Sequence, residues 1–396
     1  MGIHIEEVES RRDLKRFVAF PSTLYRGNPC WVPPLRLDEM NTLRKDKNPA
    51  FEFCDAVYWM AFRNGEPVGR IAGILHRRFN EIWGVKNVRF GWVDFVNDRE
   101  VSQQLFAAVE AWARSKGMTR VHGPLGFTDM DREGMLVEGF DETGTLATIY
   151  NHPYYPSHVE ALGYRKDADW VEFHLVPPRE VPEKVERLAR AVAERYGLRT
   201  LKARTRREIV RYAREIFEII NTTYKPLYGF VPLTVTQIDW YVRQYFAFIR
   251  PEYVPIVLDR SGKVAAFGIT MPSVSTALQR CGGRLLPFGF VHLLRAMRHN
   301  DAVDLYLTAV RPEYRDKGVN AILMYEMNVL YAQRHIRSVE SNPELESNTK
   351  VQAQWRVYGG RQHKRRRCYA KDLVSPGPSP ERFVEERQSL FDKPEG

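Results

Sequence analysis

The chain has 396 residues, 44% hydrophobic and 12% aromatic, which is enough apolar material for two interiors of ordinary size and too much for a disordered chain. Its formal net charge of +10 favours a polyanion as partner, whether nucleic acid, an anionic membrane face or a phosphate-bearing cosubstrate. The sequence has no paired Cys/His sets, no aromatic RNA-binding motif and no long basic helix, so no nucleic-acid partner is expected.

From the N-terminus, Met1-Gly2-Ile3-His4-Ile5 shows no basic-then-apolar leader, and no apolar run reaches the roughly 20 residues of a spanning helix. The cytoplasm is the expected location, with peripheral contact at the inner membrane face as a further option. A strand over 3–8 leads to a cap at Ser10 and a helix from Arg11. Asn64-Gly65 marks a hairpin between 58–62 and 67–72. Next come a strand at 88–95, a helix at 99–116, a strand at 119–123, a helix at 156–162 and a closing strand ending at Leu175. The stretch before that last helix lacks periodicity and carries Asp129, Asp131, Arg132, Glu133 and His152. His152, between Asn151 and Pro153, is a candidate base in an acceptor pocket, and a plain surface loop is the bland alternative.

Beyond Pro177-Pro178 and a helix at 183–196 the plan runs again. It has a strand at 198–203, a helix after Thr205, a Ser261-Gly262 hairpin, a strand at 303–310, a helix at 318–335, a strand at 336–341, a helix at 345–357 and a closing strand to Leu373. The expected fold is α/β (α+β, a mixed sheet) with domains at 1–178 and 179–373 and a disordered Pro-rich tail at 374–396. Cys30, Cys54, Cys281 and Cys368 have neither CxxC nor metal-ligand spacing, so no metal is expected.

Val310-Arg311-Pro312-Glu313-Tyr314-Arg315-Asp316-Lys317-Gly318-Val319-Asn320-Ala321 joins a β-branched strand to an apolar-periodic helix. A helix opening there leaves N–H groups unpaired, and a pyrophosphate can accept from them at the positive end of the helix dipole. Gly318 removes a Cβ from the approach, while Arg315 and Lys317 add charge. At the matching turn of the first half, Phe95-Val96-Asn97-Asp98-Arg99-Glu100 has no glycine and two acids, so no phosphate site is expected there.

Arg315-x-x-Gly318-x-Asn320 resembles the coenzyme-A loop of the GNAT (N-acetyltransferase) superfamily, whose pattern is Arg/Gln-x-x-Gly-x-Gly/Ala, with Asn320 standing where that family has Gly or Ala. The resemblance implies two GNAT-like acyl-CoA N-acyltransferase domains in tandem, the second binding acyl-CoA through Val310, Arg315, Asp316, Lys317, Gly318, Val319, Asn320 and Ala321. Acyl transfer needs a base, an oxyanion donor and a proton for the thiolate. Glu340 or Asp304 is the candidate base, Asn342 orients pantetheine or acceptor, and Tyr358 is the candidate acid. The family tyrosine sits four residues before the glycine, a slot held here by Trp355.

About thirty residues, Ser273 to Ala302, replace a short hairpin between two strands. Their run Leu285-Leu286-Pro287-Phe288-Gly289-Phe290-Val291, flanked by Arg280, Arg284, Arg295 and Arg298, suits contact with an anionic membrane surface through 280–298. A channel for an acyl chain and a buried helical hairpin are the competing readings. In length, two-copy plan and insertion the chain is similar to the bacterial ceramide synthase type, which implies acyl-CoA and a sphingoid or other lipid amine as substrates. An acetyl-CoA enzyme for a small amine or protein N-terminus, and an inert CoA-binding sensor, are the alternatives.

Overall fold

The computed structural model describes residues 2–246 and 249–373; the tail at 374–396 lies outside the described residues. Fourteen strands among the described residues join in one sheet. They are β1 His4–Glu7, β2 Cys54–Arg63, β3 Glu66–His76, β4 Asn87–Phe95, β5 Arg120–Gly123, β6 Met135–Glu138 and β7 Arg165–Leu175 in the first half. The second half supplies β8 Arg199–Thr200, β9 Ile256–Leu258, β10 Val264–Pro272, β11 Ala302–Val310, β12 Ser338–Glu340, β13 Glu344–Leu345 and β14 Arg361–Asp372. The order is β1-β2-β3-β4-β5-β14-β7-β12-β11-β10-β9-β8, with β6 against β14 and β13 against β7.

Local chemistry sets the turns. Asn64 and Gly65 both take positive φ, as a tight hairpin between β2 and β3 requires. In the second hairpin Asp259 Oδ1 accepts from the Ser261 and Lys263 N–H groups at 2.8 and 3.0 Å. The helix expected at 345–357 begins only at Thr349, because Glu344 and Leu345 pair with Val171 and Trp170 as β13.

Both sheet faces are covered, which is why the strands read as apolar on both sides. On β2, Trp59 and Ala61 pack towards helix Arg99–Ser115. Tyr58, Met60 and Phe62 pack on the opposite face with Phe17. On β11 that alternation breaks. Val303 and Leu305 face helices Glu183–Tyr196 and Asn320–Arg334, whereas Leu307 and Ala309 face helices Ala213–Thr223 and Val235–Tyr245. The cause is a bulge: Ile269 pairs with Leu307 and Thr270 with Leu305, leaving Tyr306 as the extra residue.

The halves exchange their closing strands. β14, from the end of the chain, pairs with β5 of the first half, and β7 of the first half pairs with β12. β7 and β14 pair with each other at the centre. This seam buries charge: Glu172, fully buried, meets Arg366 and, at 3.2 Å, Lys364, and those cations hold its carboxyl low against the opposing effect of burial. No helix among the described residues is long and apolar enough to cross a membrane.

Candidate active site

β11 and β12 run parallel only from Ala302–Asp304 and Ser338–Glu340. Beyond that point β11 continues to Val310 with no strand on its β12 side, while the segment after β12 swings away through Asn342-Pro343 to pair with β7 as β13. A V-shaped gap results. Its one polar bridge among the described residues is the Asn342 side-chain amide, which donates to the Tyr306 carbonyl at 3.4 Å. The Asn342 Oδ1 and the Tyr306 hydroxyl are buried and have no partner.

Helix Asn320–Arg334 opens at the wide end of the gap. Asp316 and Gly318 take positive φ of 54° and 73°, which turns the chain from the strand into the helix. Val319, at the N-cap, offers no capping side chain; the Ala321 and Ile322 N–H groups turn back to the Gly318 and Val319 carbonyls at 2.9 and 3.0 Å, which leaves the amides of 316–320 without a backbone acceptor among the described residues. Arg315, Lys317 and Gly318 are exposed. Lys317 lies 5.4 and 5.6 Å from the Tyr196 and Tyr314 ring centres, and Lys350 offsets Asp316 at 3.3 Å.

A cavity of about 530 Å³ adjoins this gap and is lined by both halves. Leu305, Leu307, Leu323, Met324, Met327, Ile269, Met271, Leu278, Leu293 and Met297 give it apolar walls. Two acidic groups face it. Glu344 borders the gap: its Oε1 accepts from Trp355 Nε1 at 2.5 Å, its Oε2 has no partner, and burial pushes its carboxyl up to about 8. The second group comes from the first half. Asp129 is pushed up to about 7 by burial and by Asp131, Glu133 is raised by burial and by Asp129, Asp131 is pushed up to about 6 by burial, and Asp38 up to about 7 by burial and Glu39. Glu39 itself is tied to Trp92 Nε1 at 2.8 Å and to Arg132.

No family model matches the chain. It is 29% identical over 371 residues to Protein YghO of Escherichia coli (strain K12), spanning 92% of this chain and 94% of that one. It is 28% identical over 292 residues to a bacterial ceramide synthase of Caulobacter vibrioides (strain NA1000 / CB15N), spanning 72% of this chain and 74% of the relative. Among solved structures, a tandem GNAT protein from the clavulanic acid biosynthesis pathway superposes with a TM-score of 0.55 at 15% identity, over 95% of this chain and 100% of that chain. The chain has the tandem GNAT fold.

Within this tandem GNAT frame the residues singled out in the sequence fall into three places. Val310 and Arg315 to Ala321 form the strand end and helix opening, with Asn320 and, across the gap, Asn342 lining the cavity. Asp304 and Glu340 are register partners on the far side of the fork and do not line the cavity. Asp304 is 2% exposed and pushed up to about 7 by burial and by Glu340. Glu340 is held by Lys364 and His363, each at 2.5 Å, so its charge is engaged in the seam. Tyr358 accepts from Asn328 at 3.3 Å outside the cavity wall, whereas Trp355 lines it. His152 sits in an aromatic group with Tyr25 and Tyr154, off the cavity, and burial lowers its pKa. The sequence reading passed over Glu344. An acid between Pro343 and Leu345, three residues past the strand expected at 336–341, was the available signal.

Proposed function

We propose that the chain is an N-acyltransferase that moves an acyl group from acyl-CoA to an amine, with a lipidic amine of the sphingoid type as acceptor and a ceramide-like amide as product. The observation that carries this reading is the unpaired β11 edge, which runs from the open amides just before the Asn320–Arg334 helix to an apolar cavity bordered by the Glu344 carboxyl, one oxygen of which has no partner. The residues fit a CoA thioester. The N–H groups of 316–320 would donate to the diphosphate oxygens at the positive helix end, and Arg315 and Lys317 supply counter-charge. The free edge of β11 offers N–H and C=O groups to the amides of an extended pantetheine, as a sheet edge does to a peptide.

The acidic group around Asp129 and Glu133 supports the acceptor end: burial holds these carboxyls towards the neutral form, an ammonium head placed beside them favours their ionisation, and the walls take its hydrocarbon. Glu344, with a pKa of about 8, is poised as the base. The ammonium head releases one proton to water, its nitrogen attacks the thioester carbon, the Glu344 carboxylate takes a second proton from that nitrogen, and the C–S bond breaks to release the CoA thiolate as the amide forms. A β11 backbone N–H donates to the oxyanion, and the proton taken by Glu344 goes on to the thiolate through water. Holding both substrates in one water-poor space supplies much of the rate.

The name of the Caulobacter relative and the apolar walls favour a long acyl chain and a lipid amine over acetyl-CoA and a small amine. Thermal-shift measurements with palmitoyl-CoA and acetyl-CoA, followed by mass spectrometry of reactions given a sphingoid base, test this. Greater stabilisation by the long chain and a new N-acyl product are expected. Equal stabilisation with product only from a small polar amine would replace the lipid reading.

A further inference from the structure

The insertion folds as two short helices, Ser275–Cys281 and Gly289–Arg298, joined by 282–288. Their inner faces have a partner. Val274, Leu278, Leu293 and Met297 line the cavity, and Leu278 and Leu293 pack with Val32 of the first half. Hydrogen bonds fix the pair there: Arg36 N–H donates to the Gly283 carbonyl at 3.0 Å, and the Gln279 amide to the Pro29 carbonyl at 2.7 Å. Their outer face has none. Leu286 and Phe288 are 79% and 74% exposed, and Phe290, Val291 and Leu294 are 43–53% exposed. On the second helix Leu293 and Met297, four apart, share the inner face, and Val291 and Leu294, three apart, share the outer one, with Phe290 at the boundary between them.

Charge decides what covers this face. From Ser273 to Asn300 the chain has no acidic residue and four arginines, Arg280, Arg284, Arg295 and Arg298. All four are exposed, and none makes an ion pair among the described residues. Arg284 lies close enough to Arg36 to depress that group's pKa, after the larger effect of burial. A symmetric contact with a second copy would bring these arginines against their own images, which is unfavourable. An anionic lipid surface matches both features, because acyl chains receive the leucines and phenylalanines while headgroups take the guanidinium groups.

We propose that the outer face of 282–298 seats the protein on an anionic bilayer, so that the helices walling the cavity on one side touch the membrane on the other. A lipid amine then passes from bilayer to cavity along one helix pair without crossing water. This purpose rests on the lipid-amine reading above, but the docking itself is measurable without turnover.

The test is flotation of the full chain with vesicles of phosphatidylcholine alone or mixed with phosphatidylglycerol. Binding to the mixed vesicles that weakens with added salt is expected. Leu286→Ser with Phe288→Ser should weaken it by at least about tenfold, and Arg284→Gln with Arg295→Gln by about thirtyfold. Because these side chains are exposed and off the cavity, melting temperature and turnover of a short, water-soluble amine should not change. Equal binding to both vesicle types, or none, overturns the proposal. So does a concentration-dependent dimer in light scattering that the Phe288→Ser variant abolishes, which would make the face a self-association surface. Vesicle binding without any acyl transfer would instead count against the enzyme reading alone.

Discussion

The two halves build the same fork in the sheet and then treat it in opposite ways. In the first, β4 and β5 run parallel only over Asn87–Arg89 and Arg120–His122, as β11 and β12 do over three residues each in the second. Past the first fork the chain fills its own gap. Leu125 N–H donates to the Phe90 carbonyl at 2.8 Å, and Gly91 lies so near that a Cβ would stand 2.4 Å from the Leu125 oxygen. Tyr155 then accepts from the Phe95 N–H and Tyr154 donates to the Phe95 carbonyl, at 2.8 and 2.6 Å. The adjoining helix start is also taken, for Asp98 caps the Glu100 N–H at 2.9 Å and is held by Arg63 at 2.5 Å. The second half has no such plug, and its helix start has no side-chain cap. Hydrogen-bonding groups satisfied from within serve stability, and those left open serve a ligand.

Substitutions can break or sharpen that contrast. The largest effect is expected at Glu344: Glu344→Gln keeps the shape and the Trp355 bond but cannot take a proton. Turnover should fall by about 10²–10⁴-fold with little change in KM. The wild-type rate should rise with pH through about 8, and the variant's residual rate should lose that dependence. A flat wild-type profile would assign the base elsewhere.

The first-half fork should answer with stability. Arg70 and Asp94 pair at 2.7 Å with side chains 6% and 7% exposed, and Tyr25 donates to the same carboxylate at 2.7 Å. Arg70→Met leaves that carboxylate buried without its cation and should cost about 3–5 kcal/mol in chemical denaturation, with acyl-CoA affinity of the folded protein unchanged. Next in size is Gly318→Asp. It places a side chain at φ 73° and a carboxylate among the open amides, and should weaken acyl-CoA binding by about a hundredfold in calorimetry. Asp98→Gly, at the equivalent turn of the first half, should leave that binding untouched. If Asp98→Gly weakens binding instead, the first fork is not the closed one.

Much of this contrast was legible in the chain. Gly318 against Asp98 separated the two turns, because a glycine at a left-handed position and an acid at a helix start have local meanings. Several strand and helix limits followed for the same reason, though the strand expected at 198–203 is only Arg199–Thr200 and the helix expected from 345 starts at Thr349. What stayed hidden depends on pairing over long separations. Nothing in the pattern of 361–372 says that it inserts beside β5 rather than within its own half, and that insertion brings Lys364 to Glu340 and Arg366 to Glu172. Glu340 and Asp304 therefore looked free in sequence and are engaged or walled off in space. Glu344 looked like any polar residue after a strand until the swing of the chain through Asn342-Pro343 and the Trp355 ring enclosed it.

The smallest effect separates a site from a structural acid. The Glu344 carboxyl is pushed up to about 8 in the folded chain, against an ordinary value of 4.5. Between those values the folded state keeps a proton that the unfolded state has released, so stability falls as pH rises from about 4.5 through about 8. Glu344→Gln removes this contribution. Its melting temperature should match wild type near pH 5 and exceed it by a few degrees near pH 8. Asp38, Asp131 and Asp304 are raised as well, but they titrate in both proteins and cancel in the difference. A variant both more stable at pH 8 and far slower there would mark Glu344 as a group held at a cost to the fold for the sake of chemistry. A variant slower but not more stable would mean that the carboxylate already has a partner when the site is empty.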